Sequence, residues 1–232
     1  MSTIYLIRHG QASFGAENYD ALSPIGFEQA RVLGEHLAQR LLPIAPVQVF
    51  AGDMRRHRET AQTCIAALAR ELAPCIHAGF NEFDHEAVID ACEPRWRDRA
   101  LMAAEIRAAP DAHRAFQQMF ERAVARWTGG AHDADYREPW PAFRARCEAA
   151  LAHVALSVPR GENALVFTSG GTITALCLGL MRLDIEAAFR LNWTFANAGI
   201  TKLRGGRDGW RVASLNEHGH FEGEHEALLT YR

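Results

Sequence analysis

The sequence predicts an α/β fold: a mostly parallel central sheet flanked by helices on both faces, with a helical insertion. Two observations carry this expectation. Short unbroken apolar runs, Thr3–Arg8 and Ala164–Thr168, have the length and character of strands covered on both faces. Segments with apolar residues at helical spacing separate the strand candidates, and such alternation favours parallel pairing through helical crossovers.

The elements follow in order. After the first strand, Ser23-Pro24 supplies an N-cap and a first-turn proline; Ala30, Leu33, Leu37 and Leu41 then recur at helical spacing, and Pro43 ends the helix. Val47–Ala51 is the second strand candidate, and Ala61, Cys64, Leu68 and Leu72 form the inner face of a helix ending before Pro74. From about Asp84 to Pro139 no clear strand is visible, and this stretch is read as a helical, cap-like insertion within one domain spanning 1–232. Its stripe Phe116, Met119, Phe120, Ala123 and Trp127 reads as core, and the charged "PRWRDR" as a solvated helix face. Phe143, Cys147, Leu151 and Val154 mark a further helix, and Ile173–Met181, apolar nearly all round, a buried one. Ile200–Leu203 and Trp210–Leu215 complete the strands.

At 232 residues and 48% hydrophobic, the chain can bury a substantial core, and its net charge of −3 argues against nucleic acid or a membrane surface as partner. Lys202 is the only lysine, so an arginine matters here through its position, not its type. The five cysteines, Cys64, Cys75, Cys92, Cys147 and Cys177, form no CxxC pair, and neither a zinc site nor a disulfide framework is expected. The first strand starts without a signal-like segment and no apolar run is long enough to span a bilayer, so a cytoplasmic protein with reduced thiols is expected.

In open α/β sheets ligands bind beyond the carboxyl ends of the strands. Arg8-His9-Gly10, "GDMRR" and "TSGG" each follow a strand candidate, so three strand ends are expected to converge on one crevice. A neutral imidazole is a good nucleophile, nearby arginines keep it unprotonated, and guanidinium groups match the oxygens of a phosphoryl group. Histidine flanked by arginine at a strand end therefore points to phosphoryl transfer, with Gly10 allowing a sharp turn and close approach to the ligand.

"YLIRHGQ", "ALSPIGFEQARVLGEHL", "GDMRRHRETAQ", "NEFDHE" and "VFTSGGTITAL" occur in an order that resembles the histidine phosphatase superfamily, also called phosphoglycerate mutase-like. The resemblance spans nearly the whole chain and is weakest in the insertion. It implies that His9 is the phosphorylated histidine and Arg8 the adjacent phosphate-binding arginine. The family's second arginine falls just before a usually small residue, which makes it Arg56 and leaves Arg55 exposed. Glu82 matches the acidic residue that protonates the leaving oxygen, ahead of Asp84.

Two departures bear on activity. Ser169 stands where the family usually has a second histidine. Its hydroxyl can still donate one hydrogen bond, and N–H groups from Gly170 onward, at the start of the next helix, remain open to an anion. Losing a hydrogen bond to a charged group costs about 1.5–3 kcal/mol, which slows such an enzyme without silencing it. His57, His85 and His218 are the candidates to substitute. Gly15 replaces an asparagine usual in mutase-like members, and Gln11 replaces an acidic residue, which weighs against a mutase and against sugar-phosphate specificity.

The function expected is thus a metal-independent phosphomonoesterase acting on a small phosphate ester, without cofactor or metal. The serious alternative is a non-catalytic phosphate-ligand binding protein. A serine hydrolase using Ser169 fails at Phe167, where a GxSxG motif needs glycine. Asn197 is read as a turn residue in preference to a pocket residue, and the remaining histidines, His218 and His220 included, lack metal-ligand spacing.

Overall fold

The computed structural model describes residues 2–13, 20–41, 47–206 and 209–231, with the side chains at 40 and 41 excepted. Gly15 and Pro43 lie outside them. The described elements are β1 (Thr3–Arg8), α1 (Pro24–Leu41), β2 (Val47–Ala51), α2 (Arg55–Ala67), β3 (Cys75–Ile76), α3 (His85–Cys92), α4 (Arg99–Ala108), α5 (Ala112–Thr128), α6 (Trp140–Ser157), β4 (Asn163–Thr168), α7 (Gly170–Met181), α8 (Ile185–Asn192), β5 (Ile200–Gly206) and β6 (Gly209–Glu217).

The six strands form one sheet in the order β3-β2-β4-β1-β5-β6. Pairing is parallel from β3 through β1, and β5 runs antiparallel to both of its neighbours. The sheet is therefore mixed and mostly parallel. β4 is buried from Ala164 to Thr168, as a strand covered on both faces must be. Ser23 caps α1, its Oγ accepting from the Gly26 N–H at 3.1 Å. Val32, Leu33 and Leu37 then carry α1 into a core with Ile7, Val49, Cys64, Leu68, Leu165, Phe167 and Ile200, and Ala30 is buried on the same helix.

Two compact units result: one of Met1–Glu82 with Arg146–Arg232, which contains the whole sheet, and one of Phe83–Ala145. The smaller unit is helical, with α3, α4, α5 and the first turns of α6. "PRWRDR" is not a helix face: Pro94–Arg97 is a single 3-10 turn, anchored by buried Trp96, whose indole N–H donates to Glu105 at 2.7 Å. Arg95 and Arg97 are exposed, as expected of the charge run, while Arg99 is half-buried and pairs with Asp90 at 2.6 Å. All five cysteines are free thiols, and no helix among the described residues is long and apolar enough to cross a membrane.

The register decides what meets at the sheet's end. Arg8 lies opposite Thr168 and Ala51 opposite Phe167, so β2, β4 and β1 finish side by side. Each strand hands the chain on at its carboxyl end, delivering Gly52, Ser169 and His9 to one rim.

Candidate active site

His9 follows β1 directly and is held from three sides. Its N–H donates to the Thr168 carbonyl at 2.9 Å, and its own carbonyl accepts from the amide of Ala198 and from Asn197 Nδ2, each at 3.2 Å. The residue is 7% exposed. Its Nδ1 lies 2.7 Å from the Gly10 carbonyl, which can only accept, so Nδ1 carries the proton. Arg56 Nε donates to the opposite nitrogen, Nε2, at 3.2 Å. Burial first, then the charges of Arg56 and Arg8, holds the His9 pKa well below its usual value. The result is a neutral imidazole with a directed lone pair on Nε2.

Arg56 is placed by the start of α2 and is buried, while Arg55 points out to pair with Glu59 at 2.6 Å. The Arg56 guanidinium also meets Asp20 at 2.6 Å, and Asp20 accepts the Arg55 amide at 2.8 Å. Thr60, one turn along α2, donates to the Arg56 carbonyl at 2.6 Å and accepts from the Gly10 amide at 3.1 Å. The Gly10 amide is thereby spent on Thr60, not turned towards a ligand. Its missing Cβ serves a close approach to Gly26, whose carbonyl oxygen would lie 2.4 Å from that atom. Gly10, expected from sequence to bring the backbone close to a phosphate ligand, here contributes the carbonyl that fixes the His9 ring.

Arg8, the last residue of β1, donates through Nη1 to the carbonyls of Phe195 and Tyr231, the latter at 3.2 Å, and its Nε lies 3.8 Å from where a Cβ on Gly170 would sit. Glu82 accepts from the Gly171 N–H at 3.0 Å, which sets its carboxylate on the first turn of α7. The loop that delivers Glu82 is pinned by Arg146, whose Nη1 donates to the carbonyls of Ala78 and Gly79 at 3.1 Å and of Asn81 at 3.0 Å. Thr168 and Thr172 donate to the same loop, at Phe80 and Asn81. Asp84 instead caps α3 through the Ala87 amide, a structural role.

Ser169 occupies the N-cap position of α7 but makes no cap hydrogen bond. Its Oγ lies 2.6 Å from Nε2 of His57, the residue after Arg56. The His57 ring is fully buried and centred 5.7 Å from that of His9. Of the histidines named from sequence as substitutes, His57 lies beside His9. His218 bonds the Asn216 carbonyl at 2.7 Å, and His85 begins α3 in the other unit. Asn197 lies in a turn, as expected, but its side chain is a buried strut bonded to His9 and Thr230. Asp20, Thr60 and Arg146 were not legible as site residues, since no spacing or motif marks them.

The family model of the histidine phosphatase superfamily (branch 1) matches residues 4–90 and 91–218. The chain belongs to the histidine phosphatase superfamily. A search of curated proteins gives no significant match. Solved structures share the superfamily fold at low identity. Bacillus stearothermophilus YhfR superposes with a TM-score of 0.66 at 17% identity, over 96% of this chain and 100% of that one. A phosphoserine phosphatase mutant from Entamoeba histolytica, in complex with phosphoserine, gives 0.62 at 16% identity, over 95% and 99%. A phosphoglycerate mutase from Bacillus anthracis gives 0.62 at 20% identity, over 94% of each chain. At these identities the likeness establishes the superfamily fold, which phosphatase and mutase share.

Proposed function

We propose that the protein is a metal-independent phosphomonoesterase that hydrolyses a small phosphorylated metabolite through a phosphohistidine at His9. The observation that carries this reading is the His9 tautomer: Nδ1–H is fixed on the Gly10 carbonyl and the Nε2 lone pair faces Arg56. In the first step Nε2 attacks phosphorus, the Nε2–P bond forms and the ester P–O bond breaks in line, with Glu82 giving its proton to the departing alkoxide. Arg56 and Arg8 balance charge on the transferring oxygens. In the second step water attacks phosphorus, its proton passes to the Glu82 carboxylate, and the Nε2–P bond breaks to restore His9. The sum is ester plus water giving alcohol plus phosphate.

A small phosphorylated substrate fits the relatives, one of which is a phosphoserine phosphatase and another a phosphoglycerate mutase. The Ser169–His57 contact of 2.6 Å favours a second reading, a serine nucleophile with a histidine base. That reading leaves Arg8, Arg56 and the oriented His9 without work, so it ranks below the first. The test is hydrolysis of an aryl phosphate in chelator by wild type, His9→Ala and Ser169→Ala. Turnover abolished by His9→Ala and only slowed by Ser169→Ala is expected. The reverse pattern supports the serine reading, and phosphate binding without turnover supports a binding protein.

A further inference from the structure

We infer that His57 is a positioning residue of the phosphate pocket: its Nε2–H donates to Ser169 Oγ, leaving the Ser169 hydroxyl proton to donate to a phosphoryl oxygen at His9. The inference rests on reading the His9 cluster as a phosphoryl site, and it assigns a task to a buried imidazole beside His9 that the reading does not use.

Three observations point the same way. First, Ser169 has the extended backbone of an N-cap but gives its helix no side-chain bond. The amide of Gly171, at N2, is taken by Glu82, and the Ser169 hydroxyl is committed to His57 at 2.6 Å. Second, the fold holds a space for this ring. A Cβ on Gly52 would come within 2.2 Å of His57 Nδ1 and 2.9 Å of Asn81 Oδ1, so only glycine at the end of β2 lets the imidazole lie here.

Third, the hydrogen-bond inventory fixes the proton. His57 Nδ1 is buried and has no partner among the described residues. Burial, then the charge of Arg56, keeps the ring neutral, so it has one proton to place. On Nδ1 that proton would be a buried donor with nothing to meet, and Nε2 would consume the serine proton. On Nε2 it satisfies Ser169, and only a lone pair goes unmet, the lesser cost. A hydroxyl that accepts from His57 has its own proton to spend outward, and beside it lies the His9 nucleophile.

His9 and His57 are therefore opposite tautomers 5.7 Å apart, the first protonated on Nδ1 and the second on Nε2. Long-range proton–nitrogen correlation spectra of the 15N-labelled full chain, with His9→Gln and His57→Gln to assign signals, read this directly. Nε2–H at His57 is expected; Nδ1–H there overturns the inference whatever the enzyme does.

Kinetics supply the second arm. On an aryl phosphate, His57→Phe, which fills the ring's space without a donor, and Ser169→Ala should each lower kcat on the order of tenfold or more, while the double variant is no slower than either alone. His57→Gln, whose amide N–H can reach Ser169, should recover most of the loss, with unfolding midpoints of all variants checked. Losses that multiply, or a His57→Phe enzyme at wild-type rate, contradict the role. Should the wild type hydrolyse no phosphate ester, the phosphatase reading fails alone. Calorimetric binding of inorganic phosphate, expected weaker in His57→Phe than in wild type, then decides the role of His57, with equal binding overturning it.

Discussion

The two compact units differ in what they bury. The sheet-bearing unit buries His9, Gln29, Arg56, His57, Thr60, Ser169 and Asn197, all polar or chargeable. The Phe83–Ala145 unit buries Phe83, Trp96, Met119, Trp127, Trp140 and Phe143, and its single buried polar residue among those described, Thr128, bonds its own helix at Val124. Burying a polar group costs free energy unless it is bonded, so a fold accumulates such groups where they act or position others that act. The aromatic cluster has less such cost to offset: the Trp127 indole N–H donates to the Glu138 carbonyl at 2.9 Å, while Trp127 and Phe83 pack with tilted rings at 4.7 Å and Phe143 meets both. Substitution should accordingly damage chemistry in the first unit and stability in the second.

The largest effect expected short of removing the nucleophile tests the second half of that contrast. Phe143→Ala, in a fully buried site, should cost about 3–5 kcal/mol in denaturant unfolding. A loss under about 1 kcal/mol would mean the cluster is not a packed core. Next, Glu82→Gln keeps the shape and its bond to Gly171 but removes the proton source, and should lower kcat at least about a hundredfold with an unchanged unfolding midpoint. An ester whose leaving group is already a good one should suffer less from the same substitution, since it needs no proton.

The smallest effect is in pH. Burial pushes the His220 pKa down to about 3 from 6.5. Between those values the unfolded chain binds a proton the folded one refuses, so stability is complete above pH 6.5 and falls as the pH drops towards 3. The slope from one such histidine is about 1.4 kcal/mol per pH unit, and His220→Gln should remove it. An unchanged acid slope in that variant would show that His220 ionises freely in the folded protein. His9 and His57 shift in the same direction, and all three belong to the sheet-bearing unit.

Much of this contrast was legible from sequence, for identifiable reasons. Thr3–Arg8 is a strand within the expected limits, and Ala164–Thr168 within one residue of them, because short unbroken apolar runs have the length and character of strands covered on both faces. β3 was missed because its two residues are both exposed and carry no pattern. The short helices α3, α4 and α8 have too few turns for periodicity to show, although Asp84, Asp98 and Asp184 cap them as sequence alone could have suggested. At the site, Arg8, His9 and Ser169 were readable at strand ends, whereas Arg56 and Glu82 were singled out by the resemblance to the superfamily. His57 was only one of three spare histidines, because placing it needs the three-dimensional fact that Gly52, at the end of another strand, leaves it room. Asp20 and Arg146 reach the site from distant chain positions, which no local pattern encodes.

In the proposed reaction His9 carries the phosphoryl group. Wild-type protein mixed with an aryl phosphate and quenched in alkali, where a phosphorylated imidazole survives, can be digested and its peptides weighed. One phosphoryl group is expected on the peptide containing His9, absent from His9→Ala and more abundant when Glu82→Gln slows release. A phosphoryl group on the Ser169 peptide, or turnover that persists in His9→Ala, would contradict it.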